Sequence, residues 1–400
     1  MDDTPLNRRD FLRRTAGLVT GAALHAVTPK TLLAQDAIDT VQIGYIPITD
    51  ASPLLVAHGK GYFADEGLAV KPPVLIRTWS ALSEAFLSGK FNVTHMLFPM
   101  PVWMRYNTKA PVKVLAWDHV NGSALTVGKD SSIRNFGDLG GKSIAVPYWY
   151  SMHNIILQAG IRKAGLTPII QRENRPLQPN EVNLLILPPP EMPLALAGKK
   201  IDGYIVAEPF NALGELKVNG RILRFTGDMW KNHPCCVIVM NDGIVKENPI
   251  FTQKVMNAIV RAQRFLHEDP LSAARMLSRE GKGYLPVTED ILKRVFTYYD
   301  PRFYGTGESA AIRHPEWHIK RIGFQPYPFP SATRFIVNEM KQTLMEGDAR
   351  FLKTLDPEFV IQDLVDDTYV KKAIIAAGGP AHFDTLESTD PFEREEVIDP

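Results

Sequence analysis

The chain of 400 residues contains very little cysteine: the only two are Cys235 and Cys236, which are neighbours. So few thiols exclude a framework of disulfides. Adjacent thiols without a C-x-x-C spacing are a weak metal signal, and a bond between them would need a strained turn. On an extended strand, neighbouring side chains point to opposite faces. We therefore expect at most one thiol to face a pocket and the other to pack inside the fold.

The sequence also lacks an excess of charge of either sign and a long apolar run. It has 45 Lys and Arg residues against 44 Asp and Glu residues. This balance provides no basic field for nucleic acid or for an anionic lipid surface. Beyond the N-terminal segment, no stretch reaches the roughly 18 uninterrupted apolar residues of a membrane helix. We expect no nucleic-acid partner and no membrane-embedded part.

Residues 1–34 are predicted to form a Tat export signal. Arg8 and Arg9 precede a modest apolar stretch at 16–27, and Ala34 is a small residue suited to cleavage. A basic amphipathic helix on a cytosolic protein is the alternative interpretation. Export would place the rest of the chain in the periplasm, where 40 basic and 41 acidic residues give a net charge of −1.

Strand-like and helix-like segments alternate through the first half of the chain. A β-rich run at 40–50 is followed by a helix-like segment and a second strand near 70–76, which predicts a parallel sheet. Thr78 or Ser80 is a suitable cap for the next helix, and Ser151 for a later one.

This pattern predicts an α/β fold with two lobes. The predicted boundaries are 38–121 for the first part of lobe I, 122–235 for lobe II, 236–385 for the mostly helical remainder of lobe I, and 386–400 for a loosely packed acidic tail. One α/β unit interrupted by another indicates a binding protein that closes on a ligand. Strand C-termini and helix N-termini would face each other across its cleft.

Several segments resemble the nitrate- and bicarbonate-binding proteins of bacterial ABC importers, which are close to the sulfonate, taurine and thiamine-precursor binders. In chain order they are "GYIPITDASPLLVAHGKGYFADEGLAV", "TWSALSEAFLSGKFNVTHMLFPMP", "DLGGKSIAVPYWYSMHN", "LPPPEMPLALAGKKIDGYIVAEPFNA", "DMWKNHPCCV" and "WHIKRIGFQPYPFPS". The likeness covers most of 40–330. It implies a type II periplasmic-binding-protein-like fold, a ligand cleft between the lobes, a small anionic ligand, an ABC permease as partner and a monomer.

By motif, the resemblance implies a ligand site made of Trp79, Ser123, His153, the backbone of Ala207, and Cys236 or, with a shift of one residue, Cys235. At the cysteine position, nitrate binders of the family carry lysine and bicarbonate binders carry glutamate. A thiol provides neither the ammonium group that balances nitrate nor the carboxylate expected beside a calcium ion. The residue that distinguishes one anion from the other is therefore missing.

Two of the candidate residues have a competing structural interpretation that the sequence leaves open. His153 follows the helix cap Ser151, so free N–H groups would lie beside its imidazole and suit a small anion. The competing interpretation is a ring that caps its own helix. Glu208 is suited to orienting His153 or binding a cation, and also to forming a salt bridge at a hinge.

The leading hypothesis is a periplasmic solute-binding subunit of an ABC importer that binds nitrate first and bicarbonate second. It is not an enzyme and needs no cofactor, except calcium if the ligand is bicarbonate. The first alternative is an enzyme similar to thiamine-pyrimidine synthases, which share the fold and carry clustered cysteines. The second is a cytoplasmic nitrate-responsive sensor that binds a regulatory partner. The predicted export signal argues against both alternatives.

Overall fold

The computed structural model describes residues 38–173, 175–307, 309–383 and 390–400. The predicted export signal at 1–34 lies outside these residues, as do residues 386–389 of the predicted tail. In the described part of the chain, none of the helices combines the length and hydropathy that crossing a bilayer requires.

The strands are short and mostly buried. They are β1 Thr40–Val41, β2 Ile43–Tyr45, β3 Ala69–Val70, β4 Val74–Leu75, β5 Val93–Leu97, β6 Val112–Trp117, β7 Val120–Asn121, β8 Ser123–Gly128, β9 Lys142–Val146, β10 Thr167–Ile169, β11 Glu181–Ile186, β12 Gly203–Ala207, β13 Gly220–Phe225, β14 Cys236–Asn241 and β15 Ile322–Gly323.

Helices connect these strands and fill the C-terminal third of the chain. They are α1 Ser52–Lys60, α2 Tyr62–Asp65, α3 Trp79–Leu87, α4 Pro99–Tyr106, α5 Met152–Lys163, α6 Met192–Ala197, α7 Phe210–Lys217, α8 Asp242–Glu247, α9 Pro249–Glu268, α10 Pro270–Leu277, α11 Glu289–Thr297, α12 Pro301–Tyr304, α13 Pro330–Met340, α14 Pro357–Leu364 and α15 Thr368–Ala376. Short 3-10 helices lie at Thr49–Ala51, Phe136–Leu139, Pro189–Glu191, Thr226–Asp228, Pro315–Trp317, Arg350–Thr354 and Pro380–Phe383.

A five-stranded sheet has the order β4-β2-β5-β14-β6. Strand β2 runs parallel to β4 and β5, which confirms the predicted strand–helix–strand unit. Strand β14 runs antiparallel to β5 and β6 because the chain returns to this sheet only after building the other one. All five residues of β5 are buried, as expected for a strand covered on both faces.

A six-stranded sheet has the order β10-β11-β9-β12-β8-β13. Its strands all fall between residues 123 and 225, inside the range predicted for lobe II. Strand β9 runs parallel to β11 and β12, whereas β8 runs antiparallel to β12 and β13. This sheet is therefore mixed, like the first.

The chain passes between the two sheets twice. The first crossover, residues 118–122, leaves β6 and enters β8, and the second, residues 226–235, leaves β13 and enters β14. Backbone hydrogen bonds join the crossovers, since the N–H of Asp118 donates to the carbonyl of Cys236 at 2.9 Å and that of Asn121 to His233 at 2.9 Å. The two segments therefore form one paired connection between the sheets.

The C-terminal segment 390–400 is packed against the fold. The N–H of Asp399 donates to the carbonyl of Met229 at 2.8 Å. The side chain of Arg394 is 1% exposed and pairs with Glu396 at 2.8 Å. Residues 390–400 of the predicted tail thus pair with the second crossover through backbone hydrogen bonds.

A buried ion pair fixes the loop after β12. The carboxylate of Glu208 lies 2.6 Å from the guanidinium of Arg321, and both side chains are buried. The backbone carbonyl of Glu208 also accepts hydrogen bonds from the N–H and the hydroxyl of Thr49, at 2.8 and 3.0 Å. These bonds connect the loop after β12 with the segment after β2, which belongs to the other sheet.

We expect Glu208→Gln to lower the free energy of unfolding by about 2 kcal/mol, because the buried guanidinium of Arg321 then keeps only one carboxylate partner, Glu215 at 3.0 Å. Urea denaturation measures this change. Asp348→Asn is the control, since Asp348 and Arg350 form an ion pair on the surface and its loss should leave stability unchanged within error. Equal effects of the two substitutions would contradict the structural role of Glu208.

Candidate functional site

The candidate site is a buried polar cluster where the two crossovers meet the end of β2. Asp50 lies in the 3-10 helix after β2, His119 lies on the first crossover, and Cys235 and Cys236 lie where the second crossover becomes β14. All four side chains are fully buried, and each offers one ligand atom within 4.8 Å of the others. Titratable groups rarely lie so deep in a protein without specific partners.

Asp50 is at the centre of this cluster. One of its oxygens, Oδ2, lies 2.8 Å from His119 Nε2 and accepts a hydrogen bond from Cys235 Sγ at 3.4 Å. The other oxygen, Oδ1, has no hydrogen-bond partner, and neither nitrogen of His119 has one with acceptable geometry. The carboxylate and the imidazole therefore meet as a close ion pair with unused bonding capacity.

Burial and the attraction between the two charges shift the pKa values of Asp50 and His119 in opposite directions. Burial alone would lower the pKa of His119, but the Asp50 carboxylate outweighs burial and raises that pKa well above its usual value. Burial raises the pKa of Asp50, and His119 opposes this effect without cancelling it. The histidine thus keeps a proton in an environment that would otherwise remove it.

The two cysteines differ in acidity. Burial alone would raise the pKa of Cys235, but a hydrogen bond from Cys236 and the nearby His153 bring it well below that of an ordinary thiol. Burial and the hydrogen bond to Cys235 raise the pKa of Cys236 well above the usual value. Cys235 is therefore the more acidic thiol of the pair.

Both sulfur atoms belong to the cluster, which corrects the expectation that at most one of them faces the site. That expectation assumed a regular strand through both residues, in which side chains alternate between faces. In the structure β14 begins at Cys236, and Cys235 belongs to the crossover before it. The alternation therefore does not apply to this pair.

His153 lies in the first turn of α5 and contacts the cluster. The side chain of Ser151 caps the helix by accepting from the N–H of Asn154 at 3.1 Å, which confirms the predicted cap. His153 Nε2 lies 2.9 Å from Ser123 Oγ and 3.8 Å from Cys235 Sγ, and its Nδ1 has no partner. The structure thus brings together three residues that the sequence proposed separately.

Trp79 is buried at the start of a helix and contacts His95. It is the first residue of α3, which Thr78 caps through Ala81 N–H at 3.2 Å, and its Nε1 has no partner. Its ring meets that of His95 edge to face, with ring centres 5.6 Å apart, and His95 Nδ1 lies 3.9 Å from Asp118 Oδ2. Burial lowers the pKa of His95 to about 3, so this ring is neutral.

Ala207 and Glu208 lie at the edge of the site. Ala207 ends β12, is buried, and pairs with Ser123 of β8, so its backbone is close to a candidate residue. The carboxylate of Glu208 is bound to Arg321 and to the N–H of Ala212. Of the two interpretations of Glu208, the structure therefore shows the ion pair.

Asp50 and His119 belong to the cluster but were not predicted from the sequence. Asp50 ends the β-rich run "YIPITD", and His119 stands in "AWDHVNG" between two strands. A polar residue at the carboxyl end of a strand is the signal that could have identified Asp50, because ligands of open α/β sheets bind there. His119 is brought beside it only by the crossover, where Gly122 has a φ of 71° and leaves room for the imidazole.

A large cavity lies elsewhere in the described part of the chain. Its volume is about 1170 Å³, and residues such as Lys231, Trp317, Arg334 and Arg394 line it. None of the four cluster residues contributes to its lining. We regard the cluster as the candidate site because its titratable groups are fully buried and shift one another's pKa values. The cavity, in contrast, is open to solvent.

Comparisons with known proteins agree with the fold. The structure is similar to the periplasmic nitrate-binding protein NrtA from Synechocystis, with a TM-score of 0.71 and 18% identity over 90% of this chain and 94% of the other. This likeness is one of fold. It confirms the predicted two-lobed α/β architecture of periplasmic binding proteins.

Curated relatives are similar in sequence over part of their length. A nitrate/nitrite binding protein NrtA from Nostoc sp. is 28% identical over 243 residues, which are 56% of this chain and 53% of the relative. A bicarbonate transport ATP-binding protein, CmpC, from Synechococcus elongatus is 26% identical over 329 residues, or 74% of this chain and 48% of the relative. The chain thus spans about half the length of these relatives.

A family model covers well over half of the chain. Residues 35–278 match the model described as the NMT1-like family, and this range contains every candidate site residue as well as both sheets' main strands. Together with the nitrate-binding relatives, this match confirms the resemblance on which the predicted site was based. The chain belongs to the NMT1-like family.

Proposed function

We propose that the chain is the periplasmic solute-binding component of an ABC importer and that its solute is a small oxyanion, nitrate first and bicarbonate second. The relatives support this proposal by their names, since one binds nitrate and nitrite and another belongs to a bicarbonate transporter. An ABC permease is the expected partner, and the chain would act as a monomer. Differential affinity for open and closed lobes, without catalysis, would drive capture of the solute.

Two buried ring nitrogens without hydrogen-bond partners support the oxyanion proposal. Trp79 Nε1 and His153 Nδ1 both lack a hydrogen bond, and each residue lies in the first turn of a capped helix. When His153 carries its proton on Nδ1, its Nε2 accepts from Ser123 Oγ. A planar anion with several oxygens would satisfy such donors, and helix N-termini favour negative charge.

The choice between the two anions depends on the place where the family carries lysine or glutamate. Cys236 or, with a shift of one residue, Cys235 would stand at that place, and a thiol provides no ammonium group to balance nitrate. Cys235 Sγ lies 3.7 Å from Ser123 Oγ and 3.8 Å from His153 Nε2. The Asp50 carboxylate lies 3.4 Å from Cys235 Sγ. Bicarbonate has an O–H that can donate to such a carboxylate, whereas nitrate has no donor. Asp50 therefore supports bicarbonate as the second candidate.

Closure of the lobes follows from the burial of the site. Trp79, Ser123, His153 and Cys235 are each at most 2% exposed, so a solute reaches them only after the structure opens. We propose the lobe boundaries 38–121, 122–235 and 236–385, with the two crossovers as the hinge. The bonds from Thr49 to the carbonyl of Glu208 would break on opening and re-form on closure.

The alternative functions fit less well. The similar proteins are components of transport systems, so we propose no enzymatic activity of the thiamine-pyrimidine-synthase kind. A nitrate-responsive sensor would act in the cytoplasm, whereas residues 1–34 carry the features of an export signal.

We expect the protein starting at Gln35 to bind nitrate in isothermal titration calorimetry, and bicarbonate more weakly. Trp79→Phe removes one N–H donor and should weaken binding about 2- to 10-fold, and His153→Ala about 10- to 100-fold. Trp317→Phe is the matched control and should leave the affinity unchanged, because Trp317 stacks on His314 outside the site. If the unaltered protein binds neither anion, the oxyanion proposal is wrong.

The export proposal makes a separate prediction. Replacing Arg8 and Arg9 by lysine should keep the precursor in the cytoplasm, because the Tat pathway reads the twin arginine rather than positive charge alone. Cell fractionation followed by immunoblotting measures the distribution. Replacing Arg13 and Arg14 by lysine is the control and should leave export intact, and equal export of all three forms would refute a Tat signal.

A further inference from the structure

We infer that Asp50, His119, Cys235 and Cys236 form a binding site for a thiophilic divalent metal ion of the zinc class. The inference goes beyond the proposed function, which concerns an oxyanion held by Trp79, Ser123 and His153. It stands on the geometry and chemistry of the four side chains, so a protein that binds no nitrate could still bind the metal.

The ligand atoms are spaced closely enough to bind one metal ion together. Two sulfurs, one imidazole nitrogen and one carboxylate oxygen all lie within 4.8 Å of one another. Ligand atoms about 2.0–2.3 Å from one tetrahedral zinc ion are separated by roughly 3.3–3.8 Å. Asp50 Oδ2 and Cys235 Sγ are already 3.4 Å apart, and Asp50 Oδ2 and His119 Nε2 need to separate by about half an ångström from 2.8 Å.

Two of these groups have buried polar atoms that lack hydrogen-bond partners. Asp50 Oδ1 and both nitrogens of His119 lack hydrogen-bond partners, although both side chains are fully buried. His119 Nε2 and Asp50 Oδ2 are close, but their contact does not have the alignment of a hydrogen bond. Buried groups of this kind normally find a partner, and a metal ion would provide one.

The chemical character of the ligand set favours zinc. Two cysteine sulfurs with one histidine and one carboxylate make a soft-to-borderline set, which favours zinc over calcium or magnesium. A four-ligand site without an open position is the kind that zinc uses for structural purposes. A divalent ion would also compensate the anionic charge that the cluster buries.

The position of the cluster indicates what a bound ion would do. Its ligands come from the segment after β2, from the first crossover, and from the junction of the second crossover with β14. An ion held by all three would tie together both connections between the sheets. We therefore expect metal binding to raise the melting temperature of the protein, because the ion binds the folded chain and not the separated segments.

Cobalt titration tests the inference directly. The protein starting at Gln35 is purified metal-free under reducing conditions, a count of two free thiols in denaturant is verified, and Co²⁺ is added alone. We expect sulfur-to-cobalt charge-transfer absorption in the near ultraviolet and intense d–d bands, both lost when Zn²⁺ is added in equimolar amount. Reduced protein that gives no charge-transfer absorption overturns the inference.

Substitutions assign the ligands. Cys235→Ser and Cys236→Ser should each weaken Zn²⁺ binding on the order of 100-fold, measured by competition with a chromophoric chelator. His58→Gln is the matched control and should leave affinity unchanged, since His58 bonds to the hydroxyl of Tyr284 at 2.6 Å outside the cluster. Unchanged affinity in both cysteine variants would show that the ion binds elsewhere and overturn the inference.

Two further measurements keep the test decisive. If the cysteine variants fail to fold, as judged by circular dichroism, the cobalt spectrum and the Zn²⁺-dependent melting temperature of the unaltered protein decide. Nitrate titration of metal-free and zinc-loaded protein then separates the two claims. Nitrate binding without a cobalt signal supports only the proposed function, and a cobalt signal without nitrate binding supports only the metal site.

Discussion

The buried contact between Asp50 and His119 is the interaction on which the site depends. A carboxylate and an imidazole are held 2.8 Å apart with no exposed surface on either side chain. Removing one partner would leave an uncompensated charge in the interior, which is far more costly than losing a surface pair. The folded state is therefore stable only while the two crossovers and the end of β2 keep Asp50 and His119 in contact.

The pairing of the two crossovers also positions the other residues of the site. The hydrogen bonds between residues 118–122 and the second crossover place His119 beside the cysteines, and Ser123 begins β8 one residue after the first crossover. Helix α5 then brings His153 against Ser123 and Cys235. His153, one of the donors suited to an oxyanion, thus lies beside Cys235, one of the sulfur ligands suited to a metal ion, where the chain passes between its sheets.

The sequence was most informative where the determinants are local. Helix caps at Thr78 and Ser151 depend on a few neighbouring residues, so the positions of Trp79 and His153 at helix starts could be predicted. The meeting of Asp50 with His119 depends on long-range topology, which periodicity does not encode. Alternation was a poor guide at Cys235, because the regular strand begins one residue later.

The cysteine pair also changes how the family resemblance applies to this chain. At the place where relatives carry a fixed charge, this chain has Cys236 or, with a shift of one residue, Cys235, and both thiols lie beside Asp50 and His119. A crystal structure of the protein grown with saturating nitrate tests the central claim most directly. We expect a planar anion within hydrogen-bond distance of Trp79 Nε1 and His153 Nδ1. An anion bound elsewhere, or none beside these donors, would contradict it.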